Sequence, residues 1–171
     1  MPYRESPPDP RLSRFVECFG ASTDAGAPQP VRVVPDGCVD LLFTIAGDGR
    51  EVRAEVFGTK TRALEVRDSE PVGKLAVRFR PGAARRFLGR PAHEFADAAV
   101  ELGQLWPDAA ELAARIAAAS GFAARRALLT RALLARLGRA EVPDALAELV
   151  DSAIARIAGA RGALQVAALA T

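Results

Sequence analysis

The stretch RFRPGAARRFLG, residues 78–89, separates a part of the sequence with strand patterns from a part with helix patterns. Residues 74–80 alternate between apolar and polar side chains, which is the periodicity of a half-buried strand. Pro81 has no backbone N–H group and disfavours helical conformation at Arg80, so we expect the strand to end there. Gly82 allows the chain to turn, and residues 83–88 have a helical composition.

Short strand patterns fill the sequence before this stretch. Asp9 and Pro10 can begin a short helix, after which aromatic and β-branched residues favour a strand at residues 16–19. Further strands are predicted at residues 31–34, 39–46, 51–57, 63–67 and 74–80. Because turn residues separate these strands, they predict a small antiparallel sheet or barrel.

Helix patterns dominate after this stretch begins. Helices are predicted at residues 83–88, 100–105, 108–120, 122–137, 143–158 and 161–171. The leucine stripe of residues 122–137 is wide enough to bury against two partners. The last of these helices runs to residue 171 in an apolar stretch without a cap, so we expect a truncated form of a longer protein. The strand-rich and helix-rich halves together predict an α+β fold.

The composition indicates a cytoplasmic protein with one domain, or one domain plus a fragment. The chain has 171 residues, half of them apolar, and a formal net charge of +2 that is spread evenly. This charge gives no case for non-specific nucleic-acid binding by the whole chain. The sequence shows neither a signal peptide nor an apolar run long enough to cross a membrane, so we expect Cys18 and Cys38 to be reduced thiols.

The sequence carries little that is typical of catalysis. It has no GxSxG elbow, no GxGxxG after a strand and no P-loop. His93 is the only histidine, and a histidine in such a position is more often a surface residue than a catalytic base. Asp36, Asp40, Cys18, Cys38 and His93 have no spacing that supports a metal site. We therefore expect no enzyme activity, no metal and no cofactor.

A candidate site lies around Asp40, a carboxylate within an otherwise apolar strand. An unpaired buried charge is costly, so Asp40 needs water, a hydrogen bond or a cation such as Arg78 or Arg80. Two interpretations stay open: a structural ion pair across the sheet, or a ligand-binding site. For the site we select Asp40, Arg78 and Arg80, with Cys38 and Trp106 behind them, although Trp106 fits a packing role better.

Several segments together resemble the N-terminal effector domain of a subgroup of AraC-type bacterial transcription regulators. The resemblance is carried by residues 33–43 (VVPDGCVDLLF), 57–59 (FGT), 77–84 (VRFRPGAA), 87–89 (FLG) and 97, by residues 100–106, and by the leucine-rich helix. Residues 141–171 are similar to the start of the DNA-binding domain of these regulators, whose recognition helices the sequence lacks.

The resemblance implies a sensor and dimerisation domain at residues 1–140, with a β part up to about residue 80. Residues 141–171 would be the first helices of a truncated helix-turn-helix domain. The β part would be a cupin-like barrel that holds a small-molecule effector or contacts RNA polymerase, but it lacks the histidines of a metal-binding cupin. The helices would form a homodimer through Phe122, Leu129, Leu133 and Leu137. The alternatives are a small β-domain enzyme and a pure protein-interaction module.

Overall fold

A computed structural model describes residues 3–23, 30–47, 49, 51–66, 73–138, 145–160, 163–165 and 167. Within them, six strands form an antiparallel sheet in the spatial order β1 (Arg4–Ser6), β2 (Val16–Thr23), β7 (Gly73–Phe79), β4 (Val39–Ile45), β5 (Val52–Phe57) and β8 (Ala99–Glu101). A second sheet pairs β3 (Val31–Val33) with β6 (Leu64–Val66). The α-helices are α1 (Arg85–Leu88), α2 (Ala109–Ala118), α3 (Gly121–Leu137) and α4 (Ala145–Gly159). The prediction of an α+β fold is confirmed.

The two central strands of the large sheet have one buried face and one partly exposed face. Burial alternates residue by residue along β4 and β7, as period-2 side-chain orientation requires. The buried face includes Phe43 and Val77 and packs against residues of the helical half such as Trp106, Ile116 and Leu129. The hydrophobic core therefore lies between the large sheet and the helices, and the other face is left for a different role.

The stretch at residues 78–89 turns the chain from sheet to helix as predicted. Strand β7 ends at Phe79, and Gly82 adopts the positive φ of +80° that glycine tolerates best. Helix α1 follows and is capped at its C-terminus by Gly89, which has a φ of +68°. The Phe87 ring stacks on Phe79 with 5.1 Å between centroids, so the turn returns the helix onto the strand that it leaves.

Helix α3 packs against the rest of the chain with the side that was proposed for dimerisation. Leu129 and Leu133 are fully buried in the core, while Phe122 and Leu137 are partly buried against it. The same chain covers Leu129 and Leu133 in the structure, and an apolar stripe does not reveal whether a second copy also contacts its helix. The assignment of this stripe to dimerisation stays a prediction.

Three further differences from the predicted elements concern short or polar segments. Residues 100–105 are not a helix but the end of β8 followed by a 3₁₀ turn, Leu102–Gln104. Strand β1 was not predicted, because Arg4–Ser6 are all polar. The helix predicted at residues 161–171 lies mostly outside the described residues, and residues 163–165 are not helical. In the part of the chain that is described, no helix has the length and apolar character needed to cross a membrane.

Candidate functional site

A cavity of about 660 Å³ lies between the partly exposed face of the large sheet and the small sheet. Its floor includes Asp40, Leu42 and Thr44 of β4 and Lys74, Ala76 and Arg78 of β7. Its roof is formed by Val31 and Val33 of β3 with Leu64 and Val66 of β6. This volume falls in the range of small-molecule sites in proteins, about 300–1,000 Å³.

Strand register explains why the floor leaves space. One row across the sheet places Cys18, Arg78, Asp40 and Phe57 side by side, and the next row places Gly20, Ala76, Leu42 and Glu55. Ala76 is too small to fill the space under the roof. Gly20 has no side chain, and a Cβ there would lie 2.7 Å from the Tyr3 hydroxyl oxygen, so the Tyr3 ring lies over Gly20 at the cavity wall.

Arg78, Asp36 and Asp40 form a charged cluster in the first of these rows, which we call the Arg78 cluster. Arg78 donates from Nε to Asp40 Oδ1 at 3.0 Å and from Nη2 to Asp40 Oδ2 at 2.9 Å. Its Nη1 lies 3.1 Å from Asp36 Oδ2. The hydrogen bonds with Asp40 raise the pKa of Arg78 above its usual value. Two carboxylates therefore face one guanidinium, and the cluster carries one excess negative charge.

Local structure holds Asp36 in this position. The Asp36 Oδ1 atom accepts a hydrogen bond from the Cys38 backbone N–H at 2.9 Å, and Gly37 between them has a φ of +74°. Asp40 and Arg78 need no such turn, because they are directly opposite each other on paired strands. The predicted ion pair between Asp40 and Arg78 is thus present.

The two thiols beside the cluster are held in the neutral form. Burial, with the Asp36 carboxylate adding to it, raises the pKa of Cys38 to about 12. Burial and the Glu5 and Glu17 carboxylates raise the pKa of Cys18 to about 11. A redox-sensing cysteine needs a lowered pKa, so neither thiol has the required environment.

The structure brings three of the five selected site residues together and places two elsewhere. Asp40, Arg78 and Cys38 line the cavity. Arg80 follows the last residue of β7, and its Nε donates to the Ser13 carbonyl at 3.0 Å, away from the lining. Trp106 is buried in the core, where its indole N–H donates to the Phe87 carbonyl at 2.9 Å. Arg80 and Trp106 are therefore not among the residues that line this cavity, and Trp106 has the packing role expected for it.

His93 does not join the carboxylates at the cavity. It is exposed in a 3₁₀ turn, Ala92–Phe95, and is not among the lining residues. Within the described part of the chain, no group of three or more His, Cys, Asp or Glu side chains is arranged to hold a metal ion. The arrangement at the cavity is therefore one of charges, hydrogen-bonding groups and apolar walls.

Comparison with known families gives one match, and the matched residues cover both sheets. A family profile described as a domain of unknown function, DUF6597, matches residues 4–101, which is more than half of the chain. The chain belongs to the DUF6597 family. The matched region begins at the first residue of β1 and ends at the last residue of β8. No curated protein and no solved structure matches the chain.

The cavity lies within the DUF6597 domain. All lining residues fall inside the matched region except Tyr3, which directly precedes it. Two residues of the floor that we did not select, Leu42 and Ala76, could have been found by counting two positions from Asp40 and Arg78 along each strand. The roof of the DUF6597 cavity could not be predicted in this way. Strands β3 and β6 are distant in sequence, and the residues of neither strand indicate that the two pair.

Proposed function

We propose that this chain is the ligand-sensing part of a DNA-binding transcription regulator and that it is not an enzyme. The observation that carries the ligand-binding half of the proposal is the cavity of about 660 Å³, with its charged cluster and apolar roof. The regulatory half is supported by the resemblance of residues 33–43 and 77–84 to effector domains of AraC-type regulators. The DUF6597 domain would bind the effector, and the helices after it would transmit the bound state.

The wider proposal includes three partners: DNA, a second copy of the chain and RNA polymerase. DNA would be contacted by a helix-turn-helix region whose first helices the resemblance assigns to residues 141–171. A homodimer would use a surface other than the buried side of α3. RNA polymerase is the alternative partner of the β part.

The alternative of a small β-domain enzyme is less well supported. That hypothesis needs Asp36, Asp40, Cys38 and His93 to act at one place, but His93 is not at the cavity and Cys38 is held as a neutral thiol. The alternative of a pure interaction module fits a β-domain filled by its own side chains, which the cavity argues against.

The first experiment measures the melting temperature of the chain against a broad library of metabolites and drug-like compounds. A ligand that binds only the folded state stabilises it by mass action, so a saturable rise for one chemical class is expected. The variant Ala76→Leu, which adds bulk at the floor, should lose this rise. Ala110→Leu is the matched control, because Ala110 is exposed on α2 and does not line the cavity. Absence of a shift across the library would contradict ligand sensing.

The second experiment tests the role in transcription. The gene is deleted in its host, and transcript levels are compared after complementation with the wild-type gene, with Ala76→Leu and with Ala110→Leu. We expect wild type and Ala110→Leu to restore an effector-dependent set of transcripts, and Ala76→Leu to leave that set unresponsive. If deletion changes no transcript level, the regulatory half of the proposal is contradicted. Ligand binding is then decided by the first experiment alone.

A further inference from the structure

We propose that the cavity selects a cationic ligand: a primary amine attached to a flat apolar body, with the ammonium group at the Arg78 cluster. This inference rests on the proposed ligand-sensing function and specifies the chemical class of its ligand. It is drawn from the charges at one end of the cavity and from the apolar surfaces between floor and roof.

The hydrogen bonds of Arg78 argue against an anionic ligand. Its Nε and Nη2 are used by the two oxygens of Asp40, and its Nη1 is used by Asp36. A ligand carboxylate or phosphate would have to displace one of these carboxylates or approach a cluster that already carries excess negative charge. An anionic ligand in contact with Arg78 would be repelled by the Asp36 and Asp40 carboxylates in this partly buried site, so the guanidinium is not an open anion receptor.

Glu17 adds a carboxylate beside the cluster, while the rest of the cavity lining carries both signs of charge, with Arg53, Lys60 and Lys74 alongside Glu51 and Glu55. Glu17 Oε2 lies 3.8 Å from Cys38 Sγ, beside the cluster. The Asp36 and Glu17 carboxylates both disfavour the thiolate form of Cys38, and Arg78 offsets them only in part. Burial, the largest cause of the raised Cys38 pKa, disfavours a charge of either sign, whereas the part that comes from the carboxylates favours a positive charge nearby. Each carboxylate has further lone pairs that can accept hydrogen bonds from an ammonium group.

The middle of the cavity fits the apolar part of such a ligand. Leu42 and Ala76 are neighbours in register on the floor, and Val33 and Leu64 are opposite each other on the roof. Phe57 lies beside Asp40 in the row of the cluster, where an aromatic face can contact the ammonium group of the ligand. A flat body between the two sheets would therefore place its amine beside the Arg78 cluster, within reach of the outer lone pairs of Asp36 and Asp40.

The test uses compounds that differ only in the charge of one group. Tryptamine, tryptophol and indole-3-propionate share an indole body and carry an amine, an alcohol and a carboxylate; phenethylamine, 2-phenylethanol and 3-phenylpropionate do the same with a phenyl body. Dissociation constants for the 171-residue chain are measured by titration calorimetry, and melting temperatures are measured in parallel. We expect the amines to bind and to raise the melting temperature, and each amine to bind at least tenfold more tightly than its matched carboxylate.

Two variants test whether the amine binds at the Arg78 cluster. Asp36→Asn keeps the Oδ1 acceptor for the Cys38 N–H but removes one negative charge, so amine binding should weaken about tenfold or more, as expected for loss of a charged hydrogen bond. Glu111→Gln removes the same charge from exposed α2, outside the cavity lining, and should leave binding unchanged. Equal weakening in both variants would overturn the assignment to the cluster.

The outcomes separate this inference from the proposed function. If carboxylates or alcohols bind and the amines do not, the preference for a cation is overturned, while ligand sensing remains supported. If the amines fail to bind and the metabolite library also yields no ligand, both the inference and the proposed function are contradicted.

Discussion

At the scale of single residues, the Arg78 cluster combines structural pairing with partial access to solvent. Arg78 and Asp40 keep 39% and 32% of their side-chain surface exposed. Solvent screens such pairs, so their contribution to stability is smaller than their geometry alone suggests. Exposure also leaves the carboxylate oxygens within reach of a ligand. The two interpretations left open by the sequence, an ion pair and a ligand site, are therefore compatible.

The energetic coupling between Asp40 and Arg78 can be measured with a double-mutant cycle. Asp40→Asn, Arg78→Gln and the double variant are compared with wild type by urea unfolding. We expect a coupling energy of about 1 kcal/mol, because the pair is bidentate but partly exposed. Arg78→Gln should be the more costly single change, by about 1–3 kcal/mol, since it leaves two carboxylates without their cation. Strictly additive effects would show that the two side chains do not support each other.

The thiols give a prediction about reactivity and pH. With pKa values of about 12 and 11, Cys38 and Cys18 have far smaller thiolate fractions at pH 8 than a thiol at 9.0. Native protein should therefore react with iodoacetamide about a hundredfold or more slowly than protein unfolded in guanidinium chloride. Cys18→Ser and Cys38→Ser variants assign each reaction to one thiol. Rapid labelling of the native protein would contradict the raised pKa values.

The same pKa shifts set the direction of a pH effect on stability. A thiol whose pKa is raised in the folded state stabilises that state fully below its unfolded pKa of about 9. This stabilisation is lost as the pH rises from about 9 towards 12, because the unfolded state releases its proton first. The decline in the free energy of unfolding between pH 9 and 11 should be smaller in Cys38→Ser than in wild type. An identical decline in the two proteins would argue against the raised pKa of Cys38.

Comparison of Arg78 with Arg80 shows how far residue patterns predict the site. Alternation places both side chains on the polar face of one strand, and this reasoning found Arg78 correctly. It did not place Arg80 at the cavity, because the strand ends at Phe79 and the Arg80 side chain donates to the Ser13 carbonyl. The backbone N–H of Arg80 donates to the Phe15 carbonyl at 2.9 Å. Periodicity predicts a side chain's direction only while the strand continues.

At the scale of elements, long strands and helices were predicted because each carries its own periodicity. Strand β8 was missed because three residues, Ala99–Glu101, are too few to show a period, and β1 because its residues are all polar. The bounds of α3 were predicted well, whereas its role in dimerisation stays a prediction. A stripe of leucines specifies that a face is buried, but the partner that covers it depends on the packing of the whole chain.

Substitution in α3 distinguishes a core helix from a dimerisation helix. Leu129→Ala removes a fully buried side chain and should lower the free energy of unfolding by about 2–5 kcal/mol. The oligomeric state of the folded protein, measured by light scattering, should stay that of wild type. Arg131→Ala, at an exposed position of the same helix, should change neither quantity appreciably. Loss of a dimer without loss of stability would support the interface interpretation.

The chain after β5 passes close to the 3₁₀ turn Ala92–Phe95, and this close approach depends on a glycine. A Cβ at Gly58 would lie 1.7 Å from the Phe95 carbonyl oxygen, and the Gly58 N–H donates to the Ala98 carbonyl at 3.1 Å. Gly58→Ala should therefore destabilise the fold by about 3 kcal/mol or more, because backbone must move. Gly103→Ala is the control, since a Cβ there meets nothing within 4 Å. Similar melting temperatures for the two variants would contradict this close approach.

At the scale of the whole molecule, the large sheet has a different role on each of its two faces. Its buried face holds the core against the helices, and its other face forms the floor of the cavity. Strand β7 contributes Phe79 to the core and Arg78 to the cavity, and the turn that follows it contacts α4. The sequence predicted the alternation behind this division, but not the roof of the cavity or the position of α4, which depend on contacts between distant segments.

An apolar contact and an ion pair join α4 to the turn after β7 and to α1. Ile154 Cδ1 lies where a Cβ on Gly82 would approach it to 2.5 Å, and Arg86 Nη2 lies 3.3 Å from Asp151 Oδ2. The ion pair is partly exposed and contributes little, so Ile154 should dominate the docking of α4. Ile157 is 47% exposed on the same helix and offers a matched control.

Amide hydrogen exchange tests this arrangement and its connection to the cavity strand. Ile154→Ala should accelerate exchange throughout α4 while amides of β4 and β7 keep the protection of global unfolding, because a peripheral helix can open locally. Ile157→Ala should leave α4 exchange close to wild type, since it removes little buried surface. If the two variants behave alike, α4 is not held by its contact at Gly82. The turn after β7 would then not be a route by which a ligand beside Arg78 affects the C-terminal helix.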